Sequence, residues 1–138
     1  MIRFQPIVLM TLIAPVATPQ SFAQSAQRES ATPLFRQSLP TVPGKELAVV
    51  LVRYPSGAKS VPHHHAPSAF IFAYVLSGKV RSQVEGEEEK VYRPGESWIE
   101  APGAHHTVSE NASENAEATL LAVFIVAQGE KLTIPDKH

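Results

Sequence analysis

His63, His65 and His106 are the residues of this chain whose type and spacing offer chemistry most directly. Five of the six histidines lie in two short stretches, Pro62-His63-His64-His65 and Gly103-Ala104-His105-His106. Imidazole is the commonest side-chain metal ligand. A His-x-His pair on a strand points two rings to one face, because side chains alternate with period two. A third histidine from a facing strand completes a set of three neutral nitrogen donors. Such a set suits Zn, Fe, Cu or Ni better than Mg or Ca. With metal–nitrogen bonds of roughly 2.0–2.1 Å, the three nitrogens must converge to within about 3–3.5 Å of one another. Histidines beside Pro and Gly are often only solvated loop residues. Two clusters, each closing a β-type segment, argue against that reading.

The spacing also resembles a known pattern. Gly57-x5-His63-x-His65, followed by Tyr74-Val75-Leu76-Ser77-Gly78, resembles the first motif of the cupin superfamily. Gly95-x5-Ala101-x-Gly103-x2-His106 is similar to its second motif, with Ala101 where the family usually has Pro. The resemblance runs from about Pro40 to Val126. It implies a jelly-roll (double-stranded β-helix) barrel of the small single-domain kind. It also implies that His63, His65 and His106 bind a divalent transition metal, one of Fe, Zn, Cu, Ni or Mn. The family usually adds a Glu a few residues after the His pair. Here that place falls at Ala69 or Phe70, and no acid lies between His65 and Gly78. The expected site is therefore three histidines without the usual carboxylate.

Glu100 is an acid in an otherwise apolar strand, two residues after Trp98. It can replace the missing carboxylate, orient a histidine from behind, or face water, and the last is the preferred reading because an unpaired buried charge is costly. Trp98 and Glu100 share one face, and Ile99 and Ala101 the other. His64 and His105 are expected to point away from His63, His65 and His106. Tyr74, Trp98 and His105 are held as further residues of the pocket or of the metal's surroundings. Phe70, Phe72, Tyr74, Trp98 and Phe124 are expected mainly in the core. Three histidines on a divalent ion leave coordination positions open, a Lewis-acidic arrangement able to take dioxygen or a pair of substrate oxygens. The expected function is a dioxygenase-like oxidoreductase acting on a small organic molecule. The alternative is a non-catalytic metal-binding or small-molecule-sensing module. No Asp precedes Asp136, so a proton-abstracting base other than Glu100, Tyr74 or a ligand histidine is not evident, which counts against epimerase or hydrolase chemistry.

The elements that must position these residues read as strands. Glu46 to Tyr54 is an apolar, β-branched run expected to be buried on both faces, and Pro55-Ser56-Gly57 ends it. Pro62 and Pro67 keep His63–His65 extended. Phe70–Leu76, Lys79–Val84, Glu96–Ala101, His105–Ser109 and Thr119–Ala127 follow as strands with Gly or Pro between most of them. The acidic run Glu85-Gly86-Glu87-Glu88-Glu89 is expected at a solvated hairpin tip. Short strands at this spacing with no helical period indicate an all-β sandwich or barrel.

The 138 residues allow one domain. Arg3, an apolar run from Ile7 to Ala17 broken by Thr11 and Pro15, and Ser21-Phe22-Ala23 read as a secretory signal peptide over residues 1–23. The run is too short and too Pro-broken for a membrane span. Residues 24–39 are expected as a polar linker or arm, 40–130 as the barrel domain and 131–138 as a tail. Export to the periplasm or medium is implied, yet there is no Cys to form a disulfide or carry a lipid anchor. Formal charge is −1 and no basic stripe is present, so nucleic acid is not expected as a partner. A homodimer is expected, since a chain this short buries a limited share of its surface and the long apolar strands Glu46–Tyr54 and Thr119–Ala127 leave edges to be covered.

Overall fold

The structure is a computed structural model that describes residues 27–137. The expected signal peptide lies outside the described residues. Ten strands run in chain order: β1 (Ser30–Ser38), β2 (Lys45–Tyr54), β3 (His63–His65), β4 (Phe70–Ser77), β5 (Val80–Val84), β6 (Lys90–Tyr92), β7 (Ser97–Glu100), β8 (His105–Asn111), β9 (Ala118–Ala127) and β10 (Thr133–Pro135). They form two five-stranded sheets, ordered β1-β2-β9-β4-β7 and β10-β3-β8-β5-β6. Every pairing between these strands is antiparallel. The all-β jelly-roll architecture expected from the sequence is the one observed.

The chain alternates inward and outward residues more cleanly than its composition suggests. In β4, Ile71, Ala73 and Val75 are buried while Phe70, Phe72 and Tyr74 are 42%, 40% and 36% exposed. In β2, Ala48, Val50 and Tyr54 are buried while Leu47, Val49 and Leu51 are half-buried. The core between the sheets is built from the inward set, with Leu120, Phe124 and Val126 of β9. The expectation that β2 is buried on both faces is thus corrected, as is the placing of Phe70, Phe72 and Tyr74 in the core. An apolar run carries no parity signal when both of its faces are apolar.

Two terminal segments expected to be loose join the sheets. Residues 30–38 of the expected arm are β1, paired along β2 from Ser30↔Arg53 to Ser38↔Glu46. Residues 133–135 of the expected tail are β10, paired with β3 through Thr133↔His65, Ile134↔His64 and Pro135↔His63. β9 lies between β2 and β4, and β2 between β1 and β9. The two strands expected to leave open edges therefore have none, because the polar composition of residues 24–33 hid a strand that pairs by its backbone. The β4–β5 turn requires Gly78, whose φ is +71° and where a Cβ would sit 2.5 Å from the Glu117 carbonyl oxygen and 2.6 Å from Ala118 Cα.

Candidate metal centre

β3 and β8 are neighbours in one sheet, and their register sets His63 opposite His106 and His64 opposite His105. Two prolines flank β3 and hold it extended. Gly103, at φ +72°, turns the chain into β8, and its amide donates to the Ala66 carbonyl at 3.1 Å. The alternation then sends His63, His65 and His106 to the interior and His64 and His105 to the other face. His65 and His106 are buried and His63 half-buried. One nitrogen from each of the three lies within 4.8 Å of the other two.

Each ring is held from behind. His63 Nδ1 donates to the Val61 carbonyl at 2.8 Å and His65 Nδ1 to that of Leu132 at 3.1 Å. These contacts fix the tautomer that leaves Nε2 with its lone pair toward the centre, as metal-binding histidines require. Ser82 Oγ lies 2.8 Å from His106 Nε2, and the His106 nitrogen facing Glu100 is Nδ1. The edge of His65 packs on Phe124, with centroids 5.7 Å apart.

Glu100 comes from β7 in the opposite sheet and is only 3% exposed. This corrects the preferred expectation that it faces water: its partner in the register is the buried Ile71 of β4, so the alternation turns it inward. Trp98 Nε1 donates to its Oε1 at 2.9 Å. Its Oε2 lies 3.1 Å from His65 Nε2, and its Oε1 3.5 Å from His106 Nδ1. Oε2 is buried and has no hydrogen-bond partner. The two sheets therefore face a carboxylate with the lone pairs of neutral imidazoles across about the separation that ligands of one ion require. Positive charge is needed between them. Three nitrogens and an orphaned carboxylate oxygen fit a divalent transition metal.

The electrostatics agree. Burial pushes His63 down and His106 down to about 4, so both rings are neutral at ordinary pH.

The histidines and Glu100 line a cavity of about 590 Å³ between the sheets. Its walls are otherwise mostly apolar, including Val50, Ile71, Leu120 and Phe124, with Trp98 beside Glu100. That is the size and character of a small-molecule site. Tyr54, at the end of β2, adds a buried hydroxyl 2.6 Å from Ser109 Oγ. Burial raises its pKa.

Two expected pocket residues are elsewhere. Tyr74 is on the outer face of β4, because its strand parity is that of Phe70 and Phe72. His105 is on the outer face of β8, one residue out of phase with His106. The missed residue is Tyr54. Its signal was its parity with Ala48, Val50 and Val52, which the equally apolar Leu47, Val49 and Leu51 obscured. The position expected for the absent motif carboxylate also shifts. Phe70 faces outward, Ala69 is fully buried, and the β4 residue that reaches the cavity beside Glu100 is Ile71.

Residues 50–124 match the family model described as a cupin domain. A conserved protein with a double-stranded β-helix domain from Klebsiella pneumoniae superposes with a TM-score of 0.62 at 15% identity, over 82% of this chain and 89% of that one. The DMSP lyase DddQ from Ruegeria pomeroyi gives 0.61 at 20% identity, over 80% of this chain and 54% of that one. A recombinant oxalate oxidase in complex with glycolate gives 0.60 at 21% identity, over 78% and 55%. The likeness is one of fold, and this chain spans about half the length of the latter two. Comparison with curated proteins finds no match.

Proposed function

The chain belongs to the cupin domain family, and from that premise we propose that it is a metal-dependent, dioxygenase-like oxidoreductase acting on a small organic molecule in the cavity between its sheets. The observation that carries the proposal is the convergence of His63, His65 and His106 on one another at the wall of an apolar cavity, with the unpartnered Oε2 of Glu100 3.1 Å from His65 Nε2. His63, His65 and His106 would hold the ion, and Glu100 would stand in from β7 for the carboxylate that the family usually places on the strand after its His pair. A divalent ion held there supplies Lewis acidity and, if redox-active, access to dioxygen chemistry.

The chain's own residues supply the rest. The apolar walls exclude water from the substrate's carbon skeleton. Trp98 fixes the Glu100 carboxylate by its hydrogen bond. The Tyr54–Ser109 hydroxyl pair offers a polar contact on an otherwise apolar wall. A lyase and an oxidase share this fold, so the fold does not choose the reaction. Here the buried carboxylate is engaged with the histidines. The other acids lining the cavity, Glu29 and Asp136, are partly exposed. Among the described residues that line the cavity, no other buried carboxylate is left as a base for proton abstraction, which favours oxidation over elimination or epimerisation.

Oxygen uptake by the Fe(II)-loaded protein, against a panel of small enols, diketones and short acids, is the test. Metal-dependent uptake abolished by His63→Ala supports the reading. Ligand binding without uptake across the panel would replace it with a non-catalytic binding or sensing module. We propose further that the protein is exported and cleaved after Ala23, where small residues occupy both positions that signal peptidase reads. The intact mass of exported protein should begin at Gln24. A retained leader in a cytoplasmic protein overturns this.

A further inference from the structure

The β3–β8 ladder carries a second pair of histidines on its other face. His64 and His105 are register partners, and their rings stack with centroids 4.1 Å apart and planes 9° from parallel. β10 brings an acid to them: the Asp136 amide donates to the Pro62 carbonyl at 3.0 Å. Asp136 Oδ2 then lies 2.8 Å from His105 Nε2, and its Oδ1 3.8 Å from His64 Nε2. One donor atom from each of the three falls within 4.8 Å of the other two. A separate feature points to the same chemistry. The remaining nitrogen of His105, Nδ1, lies 3.4 Å from Glu85 Oε2. A carboxylate on the far nitrogen is the usual support for a metal-binding imidazole.

We propose that His64, His105 and Asp136 form a second divalent-metal site, on the outer face of the β3–β8 ladder and with ligands distinct from those of the cavity site, although Asp136 also reaches the cavity wall. Two imidazoles and one carboxylate select a borderline ion, Zn(II) or Cu(II), with Cu(II) held more tightly by the Irving–Williams order. His64 is exposed and His105 half-buried, so solvent completes the coordination and the affinity is lower than that of the buried site. The ion bridges β3, β8 and the segment following β10, and so ties the C-terminal strand to the sheet that carries His63, His65 and His106.

Metal-free, untagged full-length protein is titrated with Zn(II) and then with Cu(II), by calorimetry and by metal analysis. Two equivalents per chain are expected, the second weaker. The second should weaken at least tenfold in His105→Ala and in Asp136→Asn, with the first unchanged. The side chains replaced are partly exposed, and Asp136→Asn keeps the size and shape of the original. Electron paramagnetic resonance of the second Cu(II) equivalent should report nitrogen coupling that His64→Ala reduces. The cavity site responds independently: His63→Ala with His106→Ala should lose the first equivalent and keep the second. A single equivalent in the unmodified chain, or a second that survives the double variant His64→Ala with His105→Ala, overturns the proposal.

Discussion

At the scale of single residues, the decisive fact is that adjacent histidines do different things. His63, His65 and His106 face inward, His65 and His106 against Glu100, while His64 and His105 face the other way with Asp136 beside them. His63→Ala, His65→Ala and His106→Ala should each lose most of the cavity metal, since loss of a ligand costs more than the 10–100-fold typical of a supporting group. His64→Ala and His105→Ala should keep it. Equilibrium dialysis at limiting Zn(II) checks both statements, and an empty cavity site in His105→Ala would reverse the assignment within β8. Glu100→Gln keeps the shape and removes the charge that the histidines face. It should weaken cavity metal binding at least tenfold and shift competition away from Mn toward Zn and Cu, because a carboxylate favours the harder ion. Unchanged affinity would mean that Glu100 takes no part.

The same residues set a pH dependence for the metal-free protein. Burial holds His106 down at about 4, against 6.5 for an exposed ring. Between those values the unfolded chain binds a proton that the folded chain refuses. This group's contribution to stability is therefore fully present above pH 6.5 and is lost as the pH falls toward 4. The loss from this group is roughly 3 kcal/mol, and His63, shifted the same way by burial, adds to it. Urea midpoints measured from pH 7.5 to 4.5 should fall steadily, and His106→Gln should flatten the slope. A flat profile in the unmodified metal-free protein would contradict the buried neutral ring.

At the scale of elements, turns and registers carry the site. Gly78→Ala forces a side chain into left-handed backbone and onto the Glu117 carbonyl and Ala118. Backbone strain of this kind costs about 1–3 kcal/mol, and the steric overlap adds to it, so a drop in thermal midpoint of several degrees is expected by calorimetry. No drop would mean that the turn relaxes freely. This scale also explains what could be read from the sequence. The period-two logic of a His-x-His pair between prolines needed no tertiary information, and the Gly and Pro punctuation gave most strand positions. The inward face of β2 and β4 was not legible, because apolar residues occupy both faces and either parity satisfies the pattern. Glu100 was legible as a candidate but not as buried, because what sets its inward face is its pairing with Ile71, 29 residues back in the chain, and its contact with His65 of the other sheet, 35 residues back. β1 was hidden because its pairing with β2 uses backbone, and none of its nine side chains is buried.

At the scale of the whole molecule, the parity that turns Phe70, Phe72 and Tyr74 out of the core loads the outside of one sheet. Phe35, Val49, Val123, Phe72 and Ile99 are register partners in one row crossing all five strands of β1-β2-β9-β4-β7. Leu47, Ile125 and Phe70 form the row on one side, and Leu51, Leu121 and Tyr74 the row on the other. Five strands about 4.8 Å apart, with outward positions every 6.6–6.8 Å along β4, give a flat apolar footprint of roughly 400 Å² before side-chain relief is counted. Patches of this size are about the largest found on typical monomers and are often functional. The three rows hold no charged side chain, so the face would meet a second copy of itself without repulsion, and a two-fold axis would close such an assembly. The expected homodimer thus rests on this face rather than on open strand edges. Light scattering should give twice the chain mass, and Phe72→Glu, which places a charge at the centre of the middle row, should give a monomer that still takes up metal in the cavity. A monomeric unmodified protein, or a dimer that Phe72→Glu leaves intact, would remove this sheet face as the interface.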